Sequence, residues 1–286
     1  MNVRLVEMGP RDGLQNEARP VPTPVKIAFI DALSSSGLRE IEASAFVSAR
    51  AIPQLTDAEA VFAGIARRPG VIYSALVPNE KGLERALKAR VDKVAVFTAA
   101  SETFNQHNIH ASIAESLVRF EPVIAGARRA GLPIRGYVST AFWCPYEGRI
   151  DPGKAAEVIL TLAGLGVEEI SVGDTIGKAV PAEVEDLLGR LFPHLPPARI
   201  AMHFHDTYGH AVENVLASRR LGITIFDAST GGIGGCPYAP GASGNVSMEA
   251  VIAALEPLGD HTGVDPGALA RARSVIQPSL GRTLVP

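Results

Sequence analysis

Eight short runs rich in β-branched residues alternate along the chain with longer Ala- and Leu-rich segments, and this alternation limits the folds open to it. Candidate strands begin near Val3, Arg39, Val71, Lys93, Ile134, Glu168, Arg199 and Thr224. Helical patterns run over Pro24 to Ser35, Asp57 to Arg67, Gly82 to Ala89, Ser112 to Arg129, Pro152 to Leu165, Ala182 to Leu191 and His210 to Arg220, with Met248 to Leu255 and Pro266 to Ile276 closing the chain. Repeated strand, helix, turn and strand make parallel βα units. Gly37, Gly131, Gly166 and Gly222 each follow a helical pattern and precede a strand, where a left-handed helix C-cap is wanted. Thr23, Asp151 and Asp265 each precede a proline at a helix start and are expected N-caps. No GxGxxG follows the first strand, which argues against a dinucleotide-binding sheet. The expectation is an α/β chain folded as a (β/α)8 TIM barrel. Its 286 residues fit one barrel of about 250 residues plus a remainder. We therefore expect a single catalytic domain over 1–286, with the barrel at about 1–258 and a short C-terminal helical extension at about 259–286.

Charge and cysteine usage narrow the function classes. The formal net charge is -3 and no basic tract is present, which argues against nucleic acid as a partner. No apolar run reaches the length of about 18 residues that a membrane helix needs. Met1 leads directly into the strand-like run Val3 to Met8, leaving no room for a signal peptide. With only Cys144 and Cys236 as thiols, a reducing, cytoplasmic setting is expected.

In such a barrel, chemistry collects at the C-terminal ends of the strands. The first strand ends in Glu7-Met8-Gly9-Pro10-Arg11-Asp12-Gly13-Leu14-Gln15-Asn16-Glu17. Here Asp12 is a candidate metal ligand, Arg11 a candidate holder of a carbonyl or enolate oxygen, and Gln15 a candidate substrate contact. The alternative is an ordinary turn in which Arg11 and Asp12 pair with each other. Glu42, a charge inside Ile41-Glu42-Ala43-Ser44, either points inward to Arg11 or faces solvent. Asp174 ends the sixth strand and either fixes a neighbouring Arg or His or caps the following helix.

The seventh strand carries the sharpest signal. His203 and His205 stand two residues apart, so on a strand both imidazoles face one side. Two histidines on one face at a strand's C-terminal end favour metal ligation. Asp206 falls on the other face, as a cap or outer support. After the eighth strand comes a glycine-rich loop from Gly231 through Cys236 to Asn245. It lacks the Lys and Ser/Thr of a P-loop and reads as a backbone cradle or a mobile lid carrying Cys236, with Asn245 offering an amide oxygen. An inert buried thiol is the alternative for Cys236, and Cys144 is as readily structural as reactive. Two imidazoles with oxygen donors and no thiolate cluster do not make a structural zinc site. The set Asp12, His203, His205 and Asn245 favours Mg2+ or Mn2+.

These residues together resemble the 3-hydroxy-3-methylglutaryl-CoA lyase family, within a wider group of barrel metallolyases that includes isopropylmalate and homocitrate synthases. The resemblance covers almost the whole chain. It is densest in Gly9-Pro-Arg-Asp-Gly-Leu-Gln-Asn-Glu17 and Gly234-Gly-Cys-Pro-Tyr-Ala-Pro-Gly-Ala-Ser-Gly-Asn245. It implies Asp12, His203, His205 and Asn245 as ligands of a divalent cation. Arg11 would stabilise the enolate of the leaving acetyl-CoA, and Cys236 would be a lid thiol that moves a proton. Glu42 and Asp174 would be supporting carboxylates, and Gln15 would contact the substrate or the Arg11 network. The implied reaction is retro-Claisen cleavage of 3-hydroxy-3-methylglutaryl-CoA, a CoA thioester, to acetyl-CoA and acetoacetate, by a homodimer. For the first base the candidates are Asp12, Asp174 and a metal-bound water. Three departures stand out: Phe142-Trp143 is bulkier than expected, Ala18 stands where Lys is usual, and Ala49 where Pro is usual. They leave a longer or branched 3-hydroxyglutaryl thioester open, with Phe142 and Trp143 as candidates to reshape the acyl pocket.

Overall fold

The computed structural model describes residues 1–236 and 239–284; for Cys236 and 239–243 it describes the backbone alone. Eight parallel strands close on themselves in the order β1, β10, β9, β8, β5, β4, β3, β2. They are β1 (Arg4–Glu7), β2 (Glu40–Ala45), β3 (Ile72–Leu76), β4 (Lys93–Ala99), β5 (Ile134–Ser139), β8 (Glu169–Asp174), β9 (Ile200–Phe204) and β10 (Ile225–Ala228). Between β5 and β8 a small antiparallel pair intervenes, β6 (Trp143–Cys144) with β7 (Gly148–Arg149), and beyond β10 a second, β11 (Gly235–Cys236) with β12 (Ala239–Ser243). Each barrel strand starts within one residue of its expected position. Closure removes the exposed edges that an open sheet would have to protect.

The helices are α1 (Thr23–Leu33), α2 (Ala58–Gly64), α3 (Glu80–Lys88), α4 (Glu102–Ile109), α5 (Ile113–Arg129), α6 (Pro152–Gly164), α7 (Pro181–Leu191), α8 (Ala211–Arg220), α9 (Met248–Leu255) and α10 (Pro266–Leu280). One core layer lies between strands and helices, where Phe29, Val61, Leu162 and Leu187 are fully buried. A second fills the barrel itself, from Val6, Met8, Ala95, Ala201 and Ile225. The four C-cap glycines all adopt positive φ, from 72° at Gly131 to 94° at Gly166 and Gly222, the conformation only glycine reaches without strain. Asp151 caps α6 by accepting from Lys154 N at 2.9 Å, and Asp265 caps α10 by accepting from Gly267 N at 2.8 Å. Thr23 is a correction: it is the first residue of α1, and its hydroxyl donates to Asp57 Oδ2 at 2.6 Å. The helix α4 was not expected, because its eight residues carry no clear apolar stripe; Ser101 starts it by accepting from Phe104 N at 3.0 Å.

The C-terminal α10 packs along α1 and reaches the turn after β10. Ahead of α10, the N-terminal amine donates to Asp260 Oδ1 at 2.6 Å. Among the described residues, no helix is long and apolar enough to cross a membrane.

Beneath the apolar filling, the barrel floor is ionic. Lys93 Nζ lies 2.8 Å from Glu40 Oε1 and 2.9 Å from Glu169 Oε1, and Arg4 joins the same two carboxylates. Arg135 lies 3.4 Å from Glu169 and reaches up to Asp227 at 2.5 Å. Buried charges of this kind persist only when paired, and here each finds an opposite partner within one connected column.

Candidate active site

The site stands on the C-terminal ends of β1, β2, β9 and β10. After β1 the chain makes a tight π-turn over Gly9–Gly13. A side chain at Gly13 would place its Cβ 2.8 Å from Ile233 O, so only glycine lets this turn lie against the loop that follows β10. The turn sets Arg11 and Asp12 over the barrel mouth. Across β2, the register shifts between Glu42 and Ser44. Such a bulge re-aims side chains beside a site, and Glu42 lies fully buried under Arg11.

Asp12, His203 and His205 meet, with one potential ligand atom from each within 4.8 Å of the others. Asp12 Oδ2 lies 4.0 Å from His203 Nε2 and 3.9 Å from His205 Nε2. These gaps are too long for hydrogen bonds. They suit donors sharing one ion, since oxygen or nitrogen ligands at about 2.1 Å in octahedral geometry lie about 3 to 4 Å apart. The two rings face the same side, with centroids 5.2 Å apart, as their spacing predicts. His205 Nδ1 is buried without a hydrogen-bond partner among the described residues. The donor set therefore fits a divalent cation of the Mg2+ or Mn2+ type. Burial pushes His205 down to about 4, helped by His203, so it is a neutral imidazole at neutral pH, the form that ligates. Burial would raise Asp12, but Arg11 and the two imidazoles outweigh it and hold the carboxyl below its ordinary value.

Asn245 belongs to this cluster but presents its amide nitrogen to it. Its Nδ2 donates to Asp12 Oδ2 at 2.9 Å and to Ile233 O at 3.2 Å. The end of the loop is stitched to the end of β9, with a bridge between His205 and Asn245 and Val246 N donating to Phe204 O at 3.1 Å.

Arg11 holds both arrangements that the sequence left open. Its Nη1 donates to Asp12 Oδ1 at 2.8 Å and its Nε to Glu42. Tyr137 stacks beneath the guanidinium at 5.3 Å from CZ to ring centroid and donates its hydroxyl to Glu42 Oε1 at 3.2 Å. Burial raises Glu42, with Arg11 opposing. Gln15 donates to Asp12 Oδ1 at 3.1 Å. Arg11, Asp12, Gln15, His203 and His205 all line one cavity of about 220 Å³, whose other wall is apolar, from Val47, Ile52, Leu76 and Phe97.

Two candidates stand back from the cavity. Asp174 does not line this cavity: it is fully buried, and its carboxylate accepts from Lys178 N at 3.1 Å and Ala179 N at 3.0 Å, so it ties down the turn after β8. Burial raises it to about 7 against those bonds. Phe142 and Trp143 do not line the cavity either. Trp143 donates to Glu183 Oε2 at 3.0 Å under Lys178 Nζ at 3.9 Å, and Phe142 faces a separate small hollow beside α7. The side chain of Cys236 lies outside the described residues. Its neighbour Gly234 presses on the site, since a Cβ there would sit 3.0 Å from Asn245 Nδ2.

Three residues escaped the sequence reading. Tyr137 and Arg135 stand two apart on β5, the same signal that marked the histidines. Asp227 is the one charge in Ile225-Phe-Asp-Ala228. Arg135 and His203 outweigh its burial and hold Asp227 well below the usual carboxylate range. Glu7, singled out only as part of its motif, accepts from Gly9 N at 2.7 Å and from Thr230 Oγ1 at 2.5 Å, joining the ends of β1 and β10; burial raises it to about 7.

Residues 2–276 match the HMGL-like family. The chain is 49% identical over 280 residues to the mitochondrial hydroxymethylglutaryl-CoA lyase of Bos taurus, covering 98% of this chain and 86% of that one. It is 50% identical over 281 residues to the 3-hydroxy-3-isohexenylglutaryl-CoA/hydroxy-methylglutaryl-CoA lyase of Pseudomonas aeruginosa, covering 98% of this chain and 94% of that one. The crystal structure of the HMG-CoA lyase from Brucella melitensis superposes with a TM-score of 0.97 at 48% identity, covering 98% of this chain and 99% of that one.

Proposed function

Because the chain belongs to the HMGL-like family of metal-dependent lyases, we propose that it cleaves 3-hydroxy-3-methylglutaryl-CoA to acetyl-CoA and acetoacetate. The observation that carries this reading is the convergence of Asp12, His203, His205 and Arg11 on one cavity. The reaction breaks the C2–C3 bond of a tertiary alcohol. The hydroxyl gives up its proton, C3 becomes the ketone of acetoacetate, and the bond electrons pass to C2 as a thioester enolate. C2 then takes a proton and leaves as acetyl-CoA, so atoms and charge balance.

Asp12, His203 and His205 would hold the cation, Mg2+ or Mn2+, and Asn245 would join them by turning its amide oxygen toward Asp12 in place of the nitrogen. When bound, that ion supplies Lewis-acid polarisation of the substrate's oxygens. The chain's own residues do the rest. Asp12, held ionised beside Arg11, is the chain's candidate acceptor for the hydroxyl proton. Arg11 remains charged at every working pH, and its Nε is fixed by Glu42 while its face rests on Tyr137. It can therefore meet the growing negative charge on the thioester oxygen without first reorganising. Gln15 keeps Asp12 Oδ1 oriented. Return of the proton to C2 is assigned to Cys236, which stands two residues beyond the glycine packed on Asn245.

The apolar wall of Val47, Ile52, Leu76 and Phe97 favours a second, compatible reading, in which a 3-alkyl group longer than methyl is also accepted. Burying each extra methylene there is worth about 0.8 kcal/mol.

The test is incubation of purified protein with 3-hydroxy-3-methylglutaryl-CoA and a reductant, with Mg2+ or Mn2+ and separately with excess EDTA. Equal amounts of acetyl-CoA and acetoacetate, formed only with metal and not by His205→Ala, are expected. A folded, metal-loaded protein that yields neither product overturns the substrate assignment, and longer 3-alkyl homologues then become the first candidates.

A further inference from the structure

The two imidazoles of the metal cluster are held in different ways. His205 Nδ1 has no hydrogen-bond partner among the described residues. His203 Nδ1 lies 3.2 Å from Asp227 Oδ2. Asp227 is 2% exposed, sits on β10 beside His203 in the pairing of the two strands, and is itself immobilised on both oxygens. Arg135 Nη2 donates to Oδ1 at 2.5 Å, and Ser171 Oγ donates to Oδ2 at 2.8 Å.

We infer that Asp227 is a positioning residue which, locked by Arg135 and Ser171, fixes the tautomer and ring angle of His203 so that Nε2 is presented to the cation. This rests on the metal site proposed above. An ionised carboxylate offers only acceptors, so the proton shared with His203 sits on Nδ1, and Nε2 keeps its lone pair. Outer carboxylates on ligating histidines set tautomer and orientation in this way. The anchor of Asp227 is itself rigid, because Arg135 rises from the ionic floor and is 1% exposed. A guanidinium has no acceptor and cannot be turned to suit another partner. The column from Glu169 through Arg135 and Asp227 to His203 thus connects the barrel floor to one ligand of the cluster and not to the other.

This logic makes Asp227→Asn an informative isostere. Arg135 can only donate, so it draws the Asn oxygen to itself. The amide nitrogen is then turned toward His203, which must accept on Nδ1 and carry its proton on Nε2, the atom needed by the cation. The expected result is a fall of about 10- to 100-fold in Mn2+ affinity, read by titration of the free ion's paramagnetic resonance signal in the absence of substrate. Circular dichroism reports whether the fold is intact.

A second readout does not depend on that variant folding. Imidazole 15N–1H correlation spectra of the metal-free parent, with His203→Gln to assign the resonance, are expected to show His203 protonated on Nδ1. In Asp227→Asn the proton moves to Nε2. A metal-free parent in which His203 carries its proton on Nε2 overturns the proposal, as does a folded Asp227→Asn that binds Mn2+ within twofold of the parent. Loss of lyase activity with parental Mn2+ affinity and tautomer would likewise exclude it, and would leave the metal-site reading intact. A parent that binds no Mn2+ fails that reading instead.

Discussion

Tyr137 and Glu42 come from strands that do not neighbour each other, yet they meet inside the barrel, with the Tyr137 hydroxyl donating to Glu42 Oε1 at 3.2 Å. Glu42 thereby carries Arg11 on one oxygen and Tyr137 on the other, and the guanidinium is clamped from the side and from below. Glu42→Gln keeps the size but loses the charge that fixes Nε. We expect kcat to fall by about 10²-fold with little change in KM, while the thermal midpoint moves only a few degrees. Steady-state kinetics on purified Glu42→Gln check this; an unchanged kcat would show that Arg11 needs no clamp.

Divalent cation should stabilise the folded protein as well as activate it, because the cluster exists only when β1, β9 and the end of the glycine-rich loop are assembled. Ligand present at 100 times its dissociation constant adds about 2.7 kcal/mol. Thermal melts with and without Mn2+ should separate for the parent and coincide for His205→Ala. A variant midpoint that rises as much as the parent's would remove His205 from the ligand set.

Gly177 stands at φ 68°, and a Cβ there would lie 2.7 Å from His205 O and 2.8 Å from Thr207 N. Gly177→Ala must therefore push backbone against the strand end that presents His205. Both lower stability, by more than about 1 kcal/mol, and weaker Mn2+ binding are expected. Gly131→Ala has a similar φ of 72° and nothing within 4 Å of the added carbon. It should lose stability from the backbone alone and bind Mn2+ as the parent does. Chemical denaturation and Mn2+ titration of the pair distinguish the two effects.

Glu169 gives a pH signature in the floor. Burial opposes its charge, but Arg135, Lys93 and Arg4 prevail and lower it from 4.5 to about 2. The unfolded chain then binds more protons than the folded one between these values, so stability rises with pH across this window. The contribution is full above about pH 4.5 and is lost as pH falls toward 2. Glu169→Gln should be less stable than the parent at pH 7, and the gap should narrow as the solution is acidified from pH 5 to pH 3. Urea denaturation at stepped pH checks this, and a gap independent of pH would contradict the pairing.

Much of this was legible in the chain because strand and helix periods differ so plainly. The starts of β4 and β5 at Lys93 and Ile134 follow from a switch of pattern, and Asp151 and Asp265 announce their helices. His203 and His205 were legible because a period of two puts both on one face. Asp174 shows where such reasoning stops. A carboxylate at a strand end serves catalysis and a backbone turn equally well, and the bonds from Lys178 N and Ala179 N, which show the turn role, join residues that no sequence pattern relates. Trp143 misled for a related reason: bulk beside a strand end says nothing about which side of the short β6–β7 hairpin it falls on. Asp227 and Arg135 are 92 residues apart, and no local pattern relates them; their contact exists only because the sheet closes.

The ionic floor has one more consequence. Arg135, Lys93, Glu40 and Glu169 are all buried, and together they plug the barrel from wall to wall below the cavity. Among the described residues, the cavity therefore opens away from this floor. Both fragments of a cleaved substrate then leave on the side where the intact molecule arrived, so release of product and entry of the next substrate compete for the same opening.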